Sequence, residues 1–378
     1  MVEEVVEKNS SLDEEALVDQ AQESIESVGY RVESIVLIPE GRGHYNFSVV
    51  TPEKLMIARF ERPQTNVSSD GVRRDVHFNG PLSLERERNL MDLVREEAGL
   101  PAPKVYGLHQ SRLGPFLLVE KLQGIYWSEY LKENDYSLEA YLRSVGFLGA
   151  DIGCVHQIQF NTFGDAMGKG IVYPSNITNF VTRLQMTTEL NLERVKHTEA
   201  LQIKELYNIT KFFQEELKTL DECWDKRAQE PVLILTDLHP MNILVDDQGK
   251  PSGYFDLEFA QAGHPSLEFY VLRLSFLHYF EGVSQQAEDM FLAGYEKNGG
   301  RYNPKDPFNQ KLEHLMIVNH LLASVTAYHN VFDGLRDTWS EQFKNIMFEG
   351  IEVGNVDYSA INEVLRSKTK QPKFPLKF

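Results

Sequence analysis

Cysteine is nearly missing from this chain. Only Cys154 and Cys223 occur, too few for a disulfide framework or a CxxC metal site, so a reducing, cytoplasmic compartment is expected. Long apolar runs are missing too. Nowhere do about 18 apolar residues follow one another, so no membrane span is expected, and the acidic stretch Met1 to Gln20 has neither signal nor transit peptide character. Basic residues are in short supply, 38 against 56 acidic for a net charge of −18. A nucleic-acid backbone, which requires clustered Lys and Arg, is therefore not the expected partner. No repeat period stands out. What remains, at 42% hydrophobic and 25% charged over 378 residues, is an ordinary globular composition with room for two cooperating lobes.

The texture changes along the chain. Leu12, Ala16, Leu17, Ala21 and Ile25 are near helical spacing and predict one leading helix over Ser11 to Val28. Short strand-like runs follow at Arg31 to Pro39, Asn46 to Thr51 and Leu55 to Phe60, predicting a small antiparallel sheet. Arg62 to Gly80 is polar and aperiodic and reads as a mobile loop. A helix from about Leu84 to Gly99 and strands at Lys104 to His109 and Phe116 to Leu122 complete the first part. Beyond Gly124 helices dominate: Leu138 to Ile158, Thr178 to Leu190, Leu201 to Trp224, Ser284 to Asn298, Lys311 to Val331, Asp337 to Gly350 and Ala360 to Ser367. One strand-like island interrupts them, from Val232 to Val245 and Gly253 to Leu257, and the Pro-containing tail from Lys368 is expected to be extended. The expectation is an α+β fold of two lobes, a small antiparallel β lobe over residues 1–122 and a larger helical lobe over 123–378.

The island reads LILTDLHPMNILVDDQGKPSGYFD from Leu233 to Asp256. Phosphoryl transfer needs a carboxylate beside the acceptor hydroxyl and hard oxygen ligands for Mg²⁺, and Asp237, Asn242 and Asp256 offer that set. The D-x-x-x-x-N spacing puts Asp237 and Asn242 on one loop, from which a strand, a turn and a second strand lead to Asp256. An N-capping Asp and a buried polar Asn would be the purely structural explanation of the same letters. The stretch resembles the catalytic loop and metal-binding Asp of protein kinases. It is still more similar to the aminoglycoside phosphotransferase and choline kinase family, whose loop typically reads HGDLHPGN and whose metal strand reads IDWE or IDFE. Thr236 to Asn242 follows the loop, and Phe255 to Glu258 the strand.

That resemblance, which runs from about Val32 to Phe269, implies a protein-kinase-like fold. Asp237 would be the catalytic base or hydroxyl-orienting group, and Asn242 and Asp256 the magnesium ligands. Gly41, Gly43 and Asn46, between two predicted strands, would let the backbone approach the nucleotide's phosphates. Arg59 in MIARF would take the place of the kinase Lys on the third strand, a chemically sound exchange because Arg binds phosphate bidentately. Glu87 in LERERNLMDL matches R-E-x-x-L-x-x-L and would pair with Arg59, with Glu85, about 200° away on a helix, as the competitor. Leu118 to Leu122 in FLLVEKLQG, with Glu120 and Leu122 as its site residues, would form the hinge whose backbone meets the base, although a plain buried strand explains the same letters. His156 loosely matches an L-x-x-L-H helix end, although a lone His on an apolar helix is more often a core residue.

Two positions depart from the family. Leu235 stands where a His usually precedes the base by two residues, and Glu268 stands where an Asp usually follows G-D-P-x-x. The implied activity is a small-molecule kinase that moves the γ-phosphoryl group of ATP or GTP, with Mg²⁺, to a hydroxyl on a small acceptor. A positively charged acceptor, such as an aminoglycoside or amino alcohol, is expected from the acidic balance together with Glu258, Glu268, Glu189 and Glu193. The rivals are a nucleotide-binding pseudokinase serving as an interaction module and a protein Ser/Thr kinase. The latter lacks an A-P-E segment after Asp256.

Overall fold

The structure is a computed structural model, and it describes residues 14–39, 44–62, 74, 80–224, 230–331 and 336–369. The glycines Gly41 and Gly43, most of the polar loop before Gly80 and the tail beyond Thr369 lie outside the described residues. The chain begins with α1 (Glu14–Ser27), followed by β1 (Ser34–Ile38), β2 (His44–Val50), β3 (Leu55–Glu61), α2 (Leu84–Glu96), β4 (Val105–Ser111) and β5 (Gly114–Glu120). The five strands form one antiparallel sheet in the order β1-β2-β3-β5-β4. Strand alternation divides its side chains between two cores. Phe47, Val49, Met56, Ala58, Phe60, Phe116 and Leu118 face α1, packing on Leu17, Ala21 and Ile25. Leu117 and Val119 face α2 and merge with the core of the helical part through Leu90, Leu93 and Val94. Helix α2 starts where Ser83 accepts a hydrogen bond from Arg86 N, a capping geometry that satisfies one of the first turn's free N–H groups.

The chain then crosses to the helical part at Gly124, whose φ of 133° and tight contact with Ser252 and Val245 leave no space for a side chain. There follow β6 (Ile125–Tyr126), α3 (Trp127–Glu133), α4 (Leu138–Val155), β7 (Gly164–Gly168), β8 (Ile171–Tyr173), α5 (Phe180–Thr198) and α6 (Ile203–Trp224). The island expected to be strand-like is β9 (Val232–Ile234), β10 (Ile243–Val245) and β11 (Pro251–Tyr254), with β12 (Gln261–Gly263) just beyond. The last elements are α7 (Pro265–Leu272), α8 (Ser284–Lys297), α9 (Pro307–Val331), α10 (Arg336–Val353) and α11 (Tyr358–Thr369). Among the described residues no helix is long and apolar enough to cross a membrane.

Two small sheets carry the chemistry-bearing segment. One is β11-β10-β6, the other β8-β7-β12-β9. The second corrects the expectation that strands nearly vanish after Gly124, because the hairpin of β7 and β8 was not anticipated. Its letters, GDAMG and IVY, are too short and too Gly-rich to announce a strand. Pairing of Gln261 and Ala262 with Asp165 and Gly164 supplies the order that propensity does not.

Candidate active site

The catalytic candidates sit where the two small sheets meet. β9 ends at Ile234, and the loop from Leu235 to Asn242 leads into β10. Three anchors shape that loop. Leu235 N donates to Glu268 Oε2 at 2.6 Å, Thr236 Oγ1 donates to Phe259 O at 2.7 Å, and Asn242 N donates to His239 O at 2.8 Å. Asn242 Nδ2 donates to both Asp237 O (2.9 Å) and Asp237 Oδ2 (3.2 Å), so the predicted base and the predicted metal ligand are locked to one another. Ile243 pairs with Tyr254 across β10 and β11, and Phe255 N donates to Asn242 O, which brings Asp256 alongside the loop. Asp256 itself has a left-handed backbone, φ 60° and ψ 48°, and opens a short 3₁₀ turn over Leu257–Phe259. Asp is among the few residues that accept this conformation.

Opposite lies the sheet lobe's contribution. Arg59 on β3 points to Glu87 on α2, with Nη2 3.2 Å from Oε1, and to Asp256, with Nη2 3.0 Å from Oδ1. Glu85 instead lies at the surface, 3.6 Å from Arg88, so Glu87 is the helix acid that meets Arg59. Burial alone would lower the Arg59 pKa, but the charges of Glu87, Asp256 and Glu258 outweigh it and hold the guanidinium protonated beyond its ordinary range. His44 also meets Arg59, its Nδ1 3.1 Å from Nη2. The sequence reading missed it, since nothing but the strand register, which puts Asn46 opposite Arg59 and His44 opposite Glu61, could have placed it there. Asn46 is accordingly on β2 beside Arg59, at the end of the segment that contains Gly41 and Gly43.

The hinge residues separate. Glu120 sends its side chain away from the cleft, to Arg95 at 3.2 Å and to Lys104 N at 3.1 Å, and its own N–H is taken by Lys104 O. Leu122 lies between the end of β5 and Gly124, with its side chain against Gly253, where a Cβ would stand 2.8 Å from Leu122 Cδ1.

The donor set suits a hard cation. Among the described residues there is no group of three or more His, Cys, Asp or Glu that could hold a metal ion. Magnesium, however, is commonly held by one or two protein groups together with substrate phosphates. With Asn242 Nδ2 donating to Asp237, the amide oxygen Oδ1 is directed away from that carboxylate, and the Asp256 carboxylate is about one-third exposed beside it. One amide oxygen and one accessible carboxylate fit Mg²⁺. His239 lies within the electrostatic reach of Asp256: its Nδ1 accepts from Met241 N at 3.2 Å, and burial lowers its pKa against the pull of Asp256.

Glu258 and Glu268, which follow the proposed metal-binding Asp256 in the sequence, are both buried. Glu268 is fully buried, bonded to Leu235 N, with His156 Nε2 3.8 Å away. Glu258 is 3% exposed, within reach of the Arg59 charge. Both are used internally. Glu189 and Glu193, by contrast, line a groove of about 780 Å³ between α5 and α6, with Lys196 and Lys218 also on it. His156 is the core residue that a lone helix His usually is, 5% exposed and hydrogen-bonded to Tyr295 OH at 2.8 Å.

The chain matches the sequence model of a family described as the phosphotransferase enzyme family, over residues 34–304. No curated protein matches it. Solved structures do. A putative fructosamine-3-kinase from Haemophilus somnus 129PT superposes with a TM-score of 0.55 at 15% identity, covering 88% of this chain and 96% of that one. An aminoglycoside phosphotransferase in ternary complex with AMP-PNP and hygromycin B gives 0.55 at 14% identity, covering 88% and 98%. The GDP complex of an aminoglycoside 2′-phosphotransferase gives 0.55 at 15% identity, covering 89% and 99%. At these identities the likeness is one of fold: a small antiparallel sheet lobe beside a larger helical part.

Proposed function

The chain belongs to the phosphotransferase enzyme family, and we propose that within it this protein transfers the γ-phosphoryl group of ATP or GTP to a hydroxyl of a small molecule. The observation that carries the proposal is the joining of Asp237, Asn242 and Asp256 to the Arg59–Glu87 pair in a single connected site. Arg59 would hold the nucleotide's phosphates, with Glu87 fixing the guanidinium. The backbone at Leu122 would meet the base, and Asn46 with the glycines Gly41 and Gly43 would cover the phosphates. Asp237 would accept a hydrogen bond from the acceptor hydroxyl and aim its oxygen at the γ-phosphorus, taking the proton as the new P–O bond forms and the bond from the γ-phosphorus to the β,γ-bridging oxygen breaks, releasing the nucleoside diphosphate. A magnesium ion held by Asn242 and Asp256 would neutralise charge on the phosphates. The protein's share is positioning and electrostatics, which is what a loose phosphoryl-transfer transition state requires.

For the acceptor, the net charge of −18 favours a molecule that carries positive charge. Amino sugars and amino alcohols fit that description. The experiment is nucleotide turnover measured against amino sugars, amino alcohols and neutral sugars, with a control lacking acceptor, in the unaltered protein and in Asp237→Asn. The substitution should lower kcat by roughly 10² to 10⁴ with nucleotide affinity near normal. An Asp237→Asn enzyme with undiminished kcat refutes the assignment, and turnover confined to neutral sugars removes the preference for a cation.

A further inference from the structure

Arg86 precedes the Glu87 that meets Arg59, and its own side chain is completely buried. On a helix the two residues point about 100° apart. Glu87 turns to the sheet lobe and Arg86 to the helical part. Arg86 Nε donates to Ala166 O on β7 at 2.9 Å, Nη2 donates to Ala260 O just before β12 at 2.7 Å, and Nη1 donates to Pro81 O at 2.9 Å. Nη2 is also 3.6 Å from Asp165 Oδ1. Asp165 is held in turn by Arg183 Nη2 at 3.0 Å and by Gln261 Nε2 at 2.8 Å. One turn further along α2, Asn89 Nδ2 donates to Met167 O at 3.1 Å. Glycines make room for these contacts: a Cβ on Gly80 would fall 2.1 Å from Asp165 Oδ1, and one on Gly168 would fall 3.1 Å from Asn89 Cβ.

We propose that Arg86, seconded by Asn89, is a positioning residue that fastens α2 to the sheet of β7 and β12, so that Glu87 rests on Arg59 before any nucleotide arrives. The inference rests on the kinase function proposed above and names what assembles its phosphate-binding cation. The alternative is that Arg86 only fills and ties the interior. Apolar contacts of Leu84, Leu90 and Val94 already bury the helix, and they resist sliding or rotation poorly because dispersion contacts carry little directionality. A planar guanidinium satisfied by carbonyls from three separate segments has one orientation. It therefore fixes the rotation of α2 about its own axis, which decides whether Glu87 faces Arg59. A helix held in this manner has no ligand-free state in which its acid swings out. The nucleotide then meets a cation already in place, and its binding free energy is not spent on ordering α2.

The test is a double-mutant cycle read by the affinity of AMP-PNP with Mg²⁺, measured by calorimetry on the full chain. Its four proteins are the unaltered chain, Arg86→Lys, Glu87→Gln and the double variant. Lysine keeps the charge and reaches one carbonyl in place of three. If Arg86 acts through Glu87, Arg86→Lys should weaken binding by roughly 10- to 100-fold, the scale of a misplaced phosphate contact. In the Glu87→Gln background it should cost less than roughly 3-fold, because the group it positions is already gone. Equal losses in both backgrounds mean a merely structural Arg86 and overturn the proposal, as does an Arg86→Lys protein that binds as tightly as the unaltered one. Should Arg86→Lys fail to fold, Asn89→Ala enters the same cycle, with a loss of roughly 3- to 10-fold expected only where Glu87 is present. Absence of nucleotide binding in the unaltered protein sinks the kinase function and this inference with it, whereas binding with additive losses sinks the inference alone.

Discussion

Replacing Arg59 by Met separates what the Arg59–Glu87 pair does for folding from what it does for the nucleotide. The two side chains are 10% and 0% exposed, so removing the cation takes the Arg59 charge from a fully buried carboxylate. Breaking such a pair from one side costs about 3–5 kcal/mol. The third partner, Asp256, has a side chain one-third exposed and so adds little to that figure, while His44 loses its donor at a cost of about 1 kcal/mol. In urea the midpoint should fall by roughly 1–2 M for an m-value of about 3 kcal/mol/M. The double variant Arg59→Met/Glu87→Leu should recover to within about 1–2 kcal/mol of the unaltered chain, since a buried pair replaced by apolar groups of similar volume is often neutral. Both variants should lose nucleotide affinity alike, because neither has the guanidinium. The measurements are urea melts followed by circular dichroism and calorimetry with AMP-PNP. The reasoning fails if the single variant melts with the unaltered chain, or if the double variant is as unstable as the single.

The proposed metal site predicts that Asp256→Asn abolishes the tightening of nucleotide binding by Mg²⁺, since its anionic ligand would be lost. Equal tightening in both proteins, measured by calorimetry with and without the ion, would refute it. A pH dependence follows from Asp151 on α4, whose carboxyl burial pushes up to about 6 from 3.8 in spite of the hydrogen bond from Tyr254 OH and the charge of Lys250. A carboxyl with a folded pKa above its unfolded one favours folding at low pH and costs stability as pH rises through about 6. Asp151→Asn should therefore raise stability at pH 8 by about 1–3 kcal/mol and leave it nearly unchanged at pH 4. A gain of the same size at both values would count against the argument.

Much of the site could be read from its letters because phosphoryl transfer needs particular atoms at particular spacings. Asp237, Asn242 and Asp256 lie on one short segment, so their nearness depends on a local loop and hairpin. The partner of Arg59 was legible only as a choice between Glu85 and Glu87, since helical phase had to be fixed by contacts from outside the helix. Those contacts come from β7, which the sequence did not announce. His44 escaped for a similar reason, its role being set by strand register rather than by any motif. Helix ends were displaced where caps were not weighed. α9 begins at Pro307, not near Lys311, because Asp306 Oδ1 accepts from Phe308 N and Pro307 fits a helix's first turn. Glu268 shows the reverse. Its place in the sequence marks it as the substitute for a structural Asp, and packing gives it a role of that kind, buried and bonded to Leu235 N.

The left-handed backbone of Asp256 has a consequence for how activity could be lost in descendants of this fold. At φ 60° a β-branched residue is severely strained, and alanine is disfavoured by roughly 1–2 kcal/mol, whereas asparagine and glycine sit there easily. A lineage that lost the carboxylate proposed here for magnesium but kept its shape would drift toward Asn or Gly at this position. Valine or isoleucine there would signal that the turn itself had been rebuilt. The identity of one residue thus distinguishes a silent copy with an intact cleft from one whose cleft has collapsed.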